Sequence, residues 1–184
     1  MGTLDYGLKL KIIDNFYSDE DFFYMISCSV LNPYNKTYQP NKNFFNSGAN
    51  SYSCHESQNF VLGNKAFLIF ENTFFLKTGL RIKEIKTFFR KIYSSEITNV
   101  LKYGMPSHKD DVDFNIAGVI YYNSFSLDDG TGLYTTENFQ IEPDIIVGAK
   151  PNRCIVYDTQ ITHKPLQSKD NEIRIIQPFI IKHE

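Results

Sequence analysis

Tryptophan is absent from this 184-residue chain, and three further scarcities bound what it can be. Cysteine is limited to Cys28, Cys54 and Cys154, an odd number at wide spacings with no C-x-x-C pair, which suggests neither a disulfide framework nor a zinc ribbon. Free buried thiols are the expectation. Long apolar runs are missing: the most apolar stretch, Ala66 to Phe70, ends at Glu71, far short of the ~20 residues a membrane helix needs. A large excess of positive charge is missing too, since the formal net charge is −2, and this argues against holding nucleic acid through a global field. Met1 to Tyr6 carries no basic segment, apolar run or cleavage site of a secretory signal. These absences point to a soluble, cytoplasmic protein. What the chain has in plenty is aromatic: sixteen Phe and twelve Tyr, within 42% hydrophobic and 22% charged residues, promise an aromatic core for one domain spanning 1–184.

Leu8 to Ile13 alternates and then turns apolar, a strand closed by Asp14-Asn15. A helix follows. Ser18 with Asp21 forms a capping-box pattern, Asp19, Glu20 and Asp21 suit the positive end of the dipole, and Phe22, Met25, Ile26 and Ser29-Val30 recur as a stripe until Asn32-Pro33 stops it. Residues 34–59 have no sustained period and read as an irregular region with one or two short strands, of the length expected for a lid or binding loop. His55 within it reads as a surface or substrate-facing histidine. Asn64 caps a second helix to Thr78, with Phe67, Phe70 and Phe74 on one side and Gly79 ending it. Residues 81–93 and 97–103, joined at Ser94-Ser95-Glu96, suggest a hairpin. Lys77, Arg81, Lys83, Lys86, Arg90 and Lys91 make this the most basic part of the chain, and it reads as a solvated strand face.

Short strands then follow at 115–123, 132–135, 145–147, 153–158, 161–163 and 173–181, with turns expected at Asp128-Asp129-Gly130 and Lys150-Pro151-Asn152. Many short strands without intervening helices indicate a sandwich, barrel or jelly roll.

The residues able to carry chemistry are His108 and Asp110, with His163 and Arg174 far downstream. On a strand, the two-residue period would put His108 and Asp110 on one face, where they could share a cation. Asp111 and Asp113 could replace Asp110, although Asp111 would point the other way. Two histidines and a carboxylate on one side of a metal, with the opposite positions open, is the arrangement of non-haem Fe(II) oxygenases. Arg174 lies in the apolar run Ile173-Arg174-Ile175-Ile176, where an arginine is costly without a partner. His183 is penultimate, and it reads as solvated.

The order of His108-x-Asp110, Tyr121-Tyr122-Asn123, Asp129-Gly130-Thr131-Gly132, His163 and Arg174 resembles the Fe(II)- and 2-oxoglutarate-dependent oxygenase family, in particular its prolyl-4-hydroxylase-like branch. The resemblance implies a mainly β (α+β) double-stranded β-helix, a cupin-like jelly-roll core over about 81–182 with N-terminal supporting helices in 1–80. It implies that His108, Asp110 and His163 ligate Fe(II), that Arg174 pairs with the distal carboxylate of 2-oxoglutarate, and that Tyr121 hydrogen-bonds the same carboxylate; a one-residue slip would substitute Tyr122. It implies an oxidoreductase, a dioxygenase acting as hydroxylase with O₂ on a small-molecule or peptide substrate such as proline. A nucleobase or nucleic-acid oxygenase and a non-catalytic cupin-like jelly roll binding metal or sugar are the alternatives. The chain departs from the family pattern in having Ile176 two residues after the arginine and a charged segment, 168–172, before it.

Overall fold

The computed structural model describes residues 4–5, 10–40, 51–96, 108–135, 142–166 and 172–184. Strands β1 (Leu4–Asp5) and β2 (Leu10–Ile13) precede helix α1 (Asp19–Leu31), and β3 (Asn35–Pro40) and β4 (Ser51–Glu56) precede helix α2 (Lys65–Thr78). Then come β5 (Ile82–Thr87), β6 (Arg90–Tyr93), β7 (Ile116–Tyr121), β8 (Ser126–Tyr134), β9 (Ile145–Ala149), β10 (Cys154–Asp158), β11 (Thr162–Pro165) and β12 (Ile173–His183). Among the described residues, one sheet runs β1-β2-β10-β7-β12-β6-β4-β3 with β5 also paired to β12, and a smaller sheet runs β11-β8-β9. All the pairings are antiparallel, and the two sheets facing each other make the jelly roll.

Two cores result, one on each face of the large sheet. Between the sheets lie Leu10, Val119, Tyr121, Leu133, Val147, Ile155, Tyr157 and Ile176. On the outer face the helices bring Met25, Phe70 and Phe74 against Phe16, Ile120, Tyr122 and Phe179. Alternation along β7 and into the residue after it therefore sends Tyr121 inward and Tyr122 outward. Gly118 is required here: a Cβ on it would lie 2.3 Å from both the Ile155 carbonyl oxygen and the Phe179 ring.

The helix ends follow the sequence signals. Ser18 Oγ accepts the Asp21 N–H at 3.1 Å, and Asn64 Oδ1 accepts the Phe67 N–H at 2.8 Å. Gly79 ends α2 with φ 78°. The stripe of α1 is narrower than its spacing predicts, because Met25 and Ser29 are buried whereas Val30 is exposed.

Some expectations are corrected. Asp128-Asp129-Gly130 is not a turn but part of β8, where the register against β9 shifts between Ser126 and Thr131. Gly130 permits this, since a Cβ there would lie 1.9 Å from the Val147 carbonyl oxygen, and Asp129 is buried with Ser124 Oγ donating to it at 2.6 Å. The one or two short strands expected in region 34–59 are β3 and β4, which pair with each other and attach to β6. Residues 81–93 break into two strands that pair with successive parts of β12. The segment 97–103 lies outside the described residues. The basic stretch is dispersed: Arg90 pairs with Glu56, Lys86 lies 3.5 Å from Asp111, and Lys91 and Arg81 lie over the Tyr34 and Phe75 rings. Cys54 and Cys154 are buried and Cys28 is half-buried, and none of the three is in a disulfide. No described helix is long and apolar enough to cross a membrane.

Candidate metal centre

His108, Asp110 and His163 come together at one end of the inter-sheet space. One potential ligand atom from each lies within 4.8 Å of the others. The expected route, His108 and Asp110 alternating on a regular strand, is not the one observed. His108 forms an isolated antiparallel bridge with His163, each N–H donating to the other's carbonyl at 2.8 and 2.9 Å. The Asp110 N–H donates to Thr159 O at 3.1 Å, fixing the carboxylate beside both rings. Cross-strand pairing thus does what alternation was expected to do, and it brings the imidazole centroids to 4.3 Å.

The carboxylate oxygens lie 3.9 Å from His108 Nε2 and 3.6 Å from His163 Nε2. On the other side of the His163 ring, Nδ1 lies 3.2 Å from the Ile161 carbonyl, an acceptor only, so the proton belongs on Nδ1 and the Nε2 lone pair faces Asp110. Burial pushes the His163 pKa down to about 4, which keeps the ring neutral and able to ligate at physiological pH. Burial raises Asp110 above the usual carboxylate value, opposed by the positive charge of His108 whenever its ring is protonated and by that of Arg90. Tyr157 packs its ring 4.9 Å from His163. Two imidazoles and one carboxylate fit an iron-type cation better than a structural zinc, which prefers four closed protein ligands.

Arg174 lies deeper on the same inner face, 1% exposed. Its Nη1 donates to Leu166 O at 2.6 Å and its Nη2 to Gly130 O at 3.1 Å, so the irregular register of β8 turns a carbonyl toward the guanidinium. The guanidinium carbon stands 5.5 Å from the Tyr121 ring centroid, and Tyr121 Oη is 2.7 Å from Thr131 Oγ1. Tyr122 instead donates to Gln177 Oε1 at 2.6 Å, on the helix side. His55 packs edge-on to Tyr93 at 5.0 Å, and His183 sits in the last strand with its ring on the Glu184 carbonyl at 2.8 Å. Asp111 is exposed beside Lys86 and does not join the cluster.

Sequence reasoning did not single out Tyr157, Thr131 as the partner of Tyr121, or the carbonyls of Gly130 and Leu166. Period-two alternation could have found Tyr157, two residues from the inward Ile155, but carbonyl directions leave no mark on side-chain pattern.

No protein-family model and no curated protein sequence matches the chain. Solved structures share its fold. A 2OG-Fe(II) oxygenase family oxidoreductase from Burkholderia pseudomallei aligns with TM-score 0.62 at 9% identity, over 95% of this chain and 85% of that one. A Pseudomonas putida prolyl-4-hydroxylase aligns with TM-score 0.55 at 12% identity, over 96% of this chain and 93% of that one. HygX from Streptomyces hygroscopicus, solved with nickel, 2-oxoglutarate and hygromycin B bound, aligns with TM-score 0.62 at 8% identity, over 96% and 86%. At such identities the likeness is one of fold, that of the 2-oxoglutarate oxygenase jelly roll.

Proposed function

We propose that this chain is an Fe(II)- and 2-oxoglutarate-dependent dioxygenase that hydroxylates an unactivated C–H bond of a peptide or free amino acid such as proline. The observation that carries the reading is the meeting of His108, Asp110 and His163 within 4.8 Å at the mouth of a jelly roll whose inner face also buries Arg174. Iron and 2-oxoglutarate, once bound, supply the oxygen-activating chemistry. The chain supplies position.

In this reading His108, Asp110 and His163 hold the metal on one side and leave the opposite side to cosubstrate and O₂. The Ile161 carbonyl orients His163, and the bridge to His163 orients His108. Arg174 receives the distal carboxylate. The carbonyls of Leu166 and Gly130 fix where the guanidinium points, and a docking carboxylate gains a charge-assisted contact with it. Tyr121, beside the guanidinium, turns its hydroxyl toward the same carboxylate, and the aliphatic wall of Val119, Leu133 and Ile176 excludes water from the space between.

The test is anaerobic addition of 2-oxoglutarate to Fe(II)-loaded protein, followed by O₂. A visible chelation band and O₂-dependent succinate support the proposal. Metal binding without either would leave a metal-binding jelly roll.

A further inference from the structure

A second charged group stands on the inner face, and the roles assigned to iron and cosubstrate make no use of it. Cys54 and Ile92 belong to the inter-sheet core, so strand alternation places Glu56 with Cys54 and Arg90 with Ile92 on that face. Register sets the row: Glu56 pairs with Arg90, Arg90 with Ile176, and Ile176 with Tyr121, while Arg174 lies one row deeper, opposite Ile92. Arg90 therefore stands nearer the metal end than Arg174 does, across β12 from Tyr121. Its charge reaches the cluster, acting on both Asp110 and Tyr157.

The pair is doubly hydrogen-bonded and only partly dry. Arg90 Nε and Nη2 both donate to Glu56 Oε1, at 2.9 and 2.6 Å, and the guanidinium carbon lies 5.2 Å from the Phe88 ring centroid. Each side chain keeps 18% of its surface exposed, enough for a ligand to touch both. A pair this desolvated gives little net stability over apolar residues of similar volume, so its stability alone does not account for its place beside the metal.

We propose that the Glu56–Arg90 pair orients the substrate, and that this substrate is a free α-amino acid, its carboxylate taken by Arg90 and its ammonium by Glu56. The inference rests on the oxygenase reading and narrows it. A zwitterion extends the existing pair into alternating charges and adds no net charge to a half-buried site. An anion or cation alone would leave an excess there, and an apolar group would strip the pair of water without replacing it. A planar guanidinium already locked along one side presents a fixed direction to the carboxylate, which lysine would not.

Anaerobic protein loaded with Fe(II) and 2-oxoglutarate is titrated with each proteinogenic amino acid and with the N-acetyl methylamide of each, binding being read by calorimetry and by perturbation of the chelation band. At least one free amino acid should bind while its blocked form does not, and Arg90→Gln should weaken that binding about 30-fold. Arg90→Lys should restore part of it. The double variant Glu56→Met/Arg90→Met replaces the pair by apolar side chains and should keep the thermal midpoint of the wild type while losing the amino acid. Blocked forms binding as well as free ones, no free amino acid binding, or unchanged affinity in the folded double variant would each overturn the proposal. A wild-type protein with no chelation band removes the oxygenase reading itself, and this inference with it.

Discussion

The two faces of the large sheet both bury polar side chains, and they do so to opposite effect. On the helix side, Tyr17 and Tyr122 donate to Gln177 Oε1 at 3.0 and 2.6 Å, Gln177 Nε2 donates to Thr87 Oγ1 at 3.2 Å, and the Thr87 hydroxyl donates in turn to Pro178 O at 3.0 Å. That network closes on itself. Its donors and acceptors answer one another, and it fixes the packing of the helices on the sheet. On the inner face, His108, Asp110 and His163 turn their ligand atoms toward a common point, and Arg174 is held by carbonyls from two other segments. Polarity satisfied internally is architecture; polarity converging on shared space is a site.

The sharpest way to break this contrast is to remove a converging histidine. His108→Ala or His163→Ala should abolish measurable Fe(II) binding, because two remaining ligands cannot hold the ion, while the fold persists on its two cores. Iron titration with circular dichroism checks both halves. Unchanged Fe(II) affinity in both variants would end the triad assignment, and loss of folding would show these histidines to be architecture as well.

Arg174→Leu comes next in size. If the guanidinium holds the distal carboxylate, Fe(II) affinity should stay near that of the wild type while 2-oxoglutarate binding weakens by about 2–4 kcal/mol. Arg174→Lys should recover only part of the loss, since lysine keeps the charge without the planar fork. Equal 2-oxoglutarate affinity in wild type and Arg174→Leu would leave the arginine with the closed networks.

Much of this contrast was legible in the sequence, because it depends on residue type and on period. The caps at Ser18 and Asn64, the stop at Gly79 and the strand around Arg174 all follow from local chemistry that the tertiary fold does not override. The fold class and the meeting of His108, Asp110 and His163 also agree with what the motifs implied. What was not legible depends on backbone direction and long-range pairing. The bridge between residues 108 and 163 replaces the expected alternation, a glycine lets β8 run through an expected turn, and β4 joins β6 from a region without period. Glu56 and Arg90 meet through that last pairing across a separation of 34 residues, so no local pattern around either could have shown it.

The smallest effect tests the contrast most directly, because it compares adjacent residues at the end of β7. Tyr122→Phe removes one donor from the closed network, but Gln177 Oε1 keeps the bond from Tyr17, so the cost should be about 1 kcal/mol of stability with no change in 2-oxoglutarate affinity. Tyr121→Phe removes the hydroxyl that faces Thr131 Oγ1 at 2.7 Å beside Arg174, and it should weaken 2-oxoglutarate by about 1 kcal/mol besides a similar loss of stability. Urea midpoints measure the first quantity, and anaerobic titration of the chelation band measures the second. The two tyrosines at the end of β7 belong to cores on opposite faces, so only one of them should register in the second measurement. If both phenylalanine variants lowered 2-oxoglutarate affinity equally, the two faces would be coupled through the sheet, and the division between architecture and site would have to be redrawn at the end of β7.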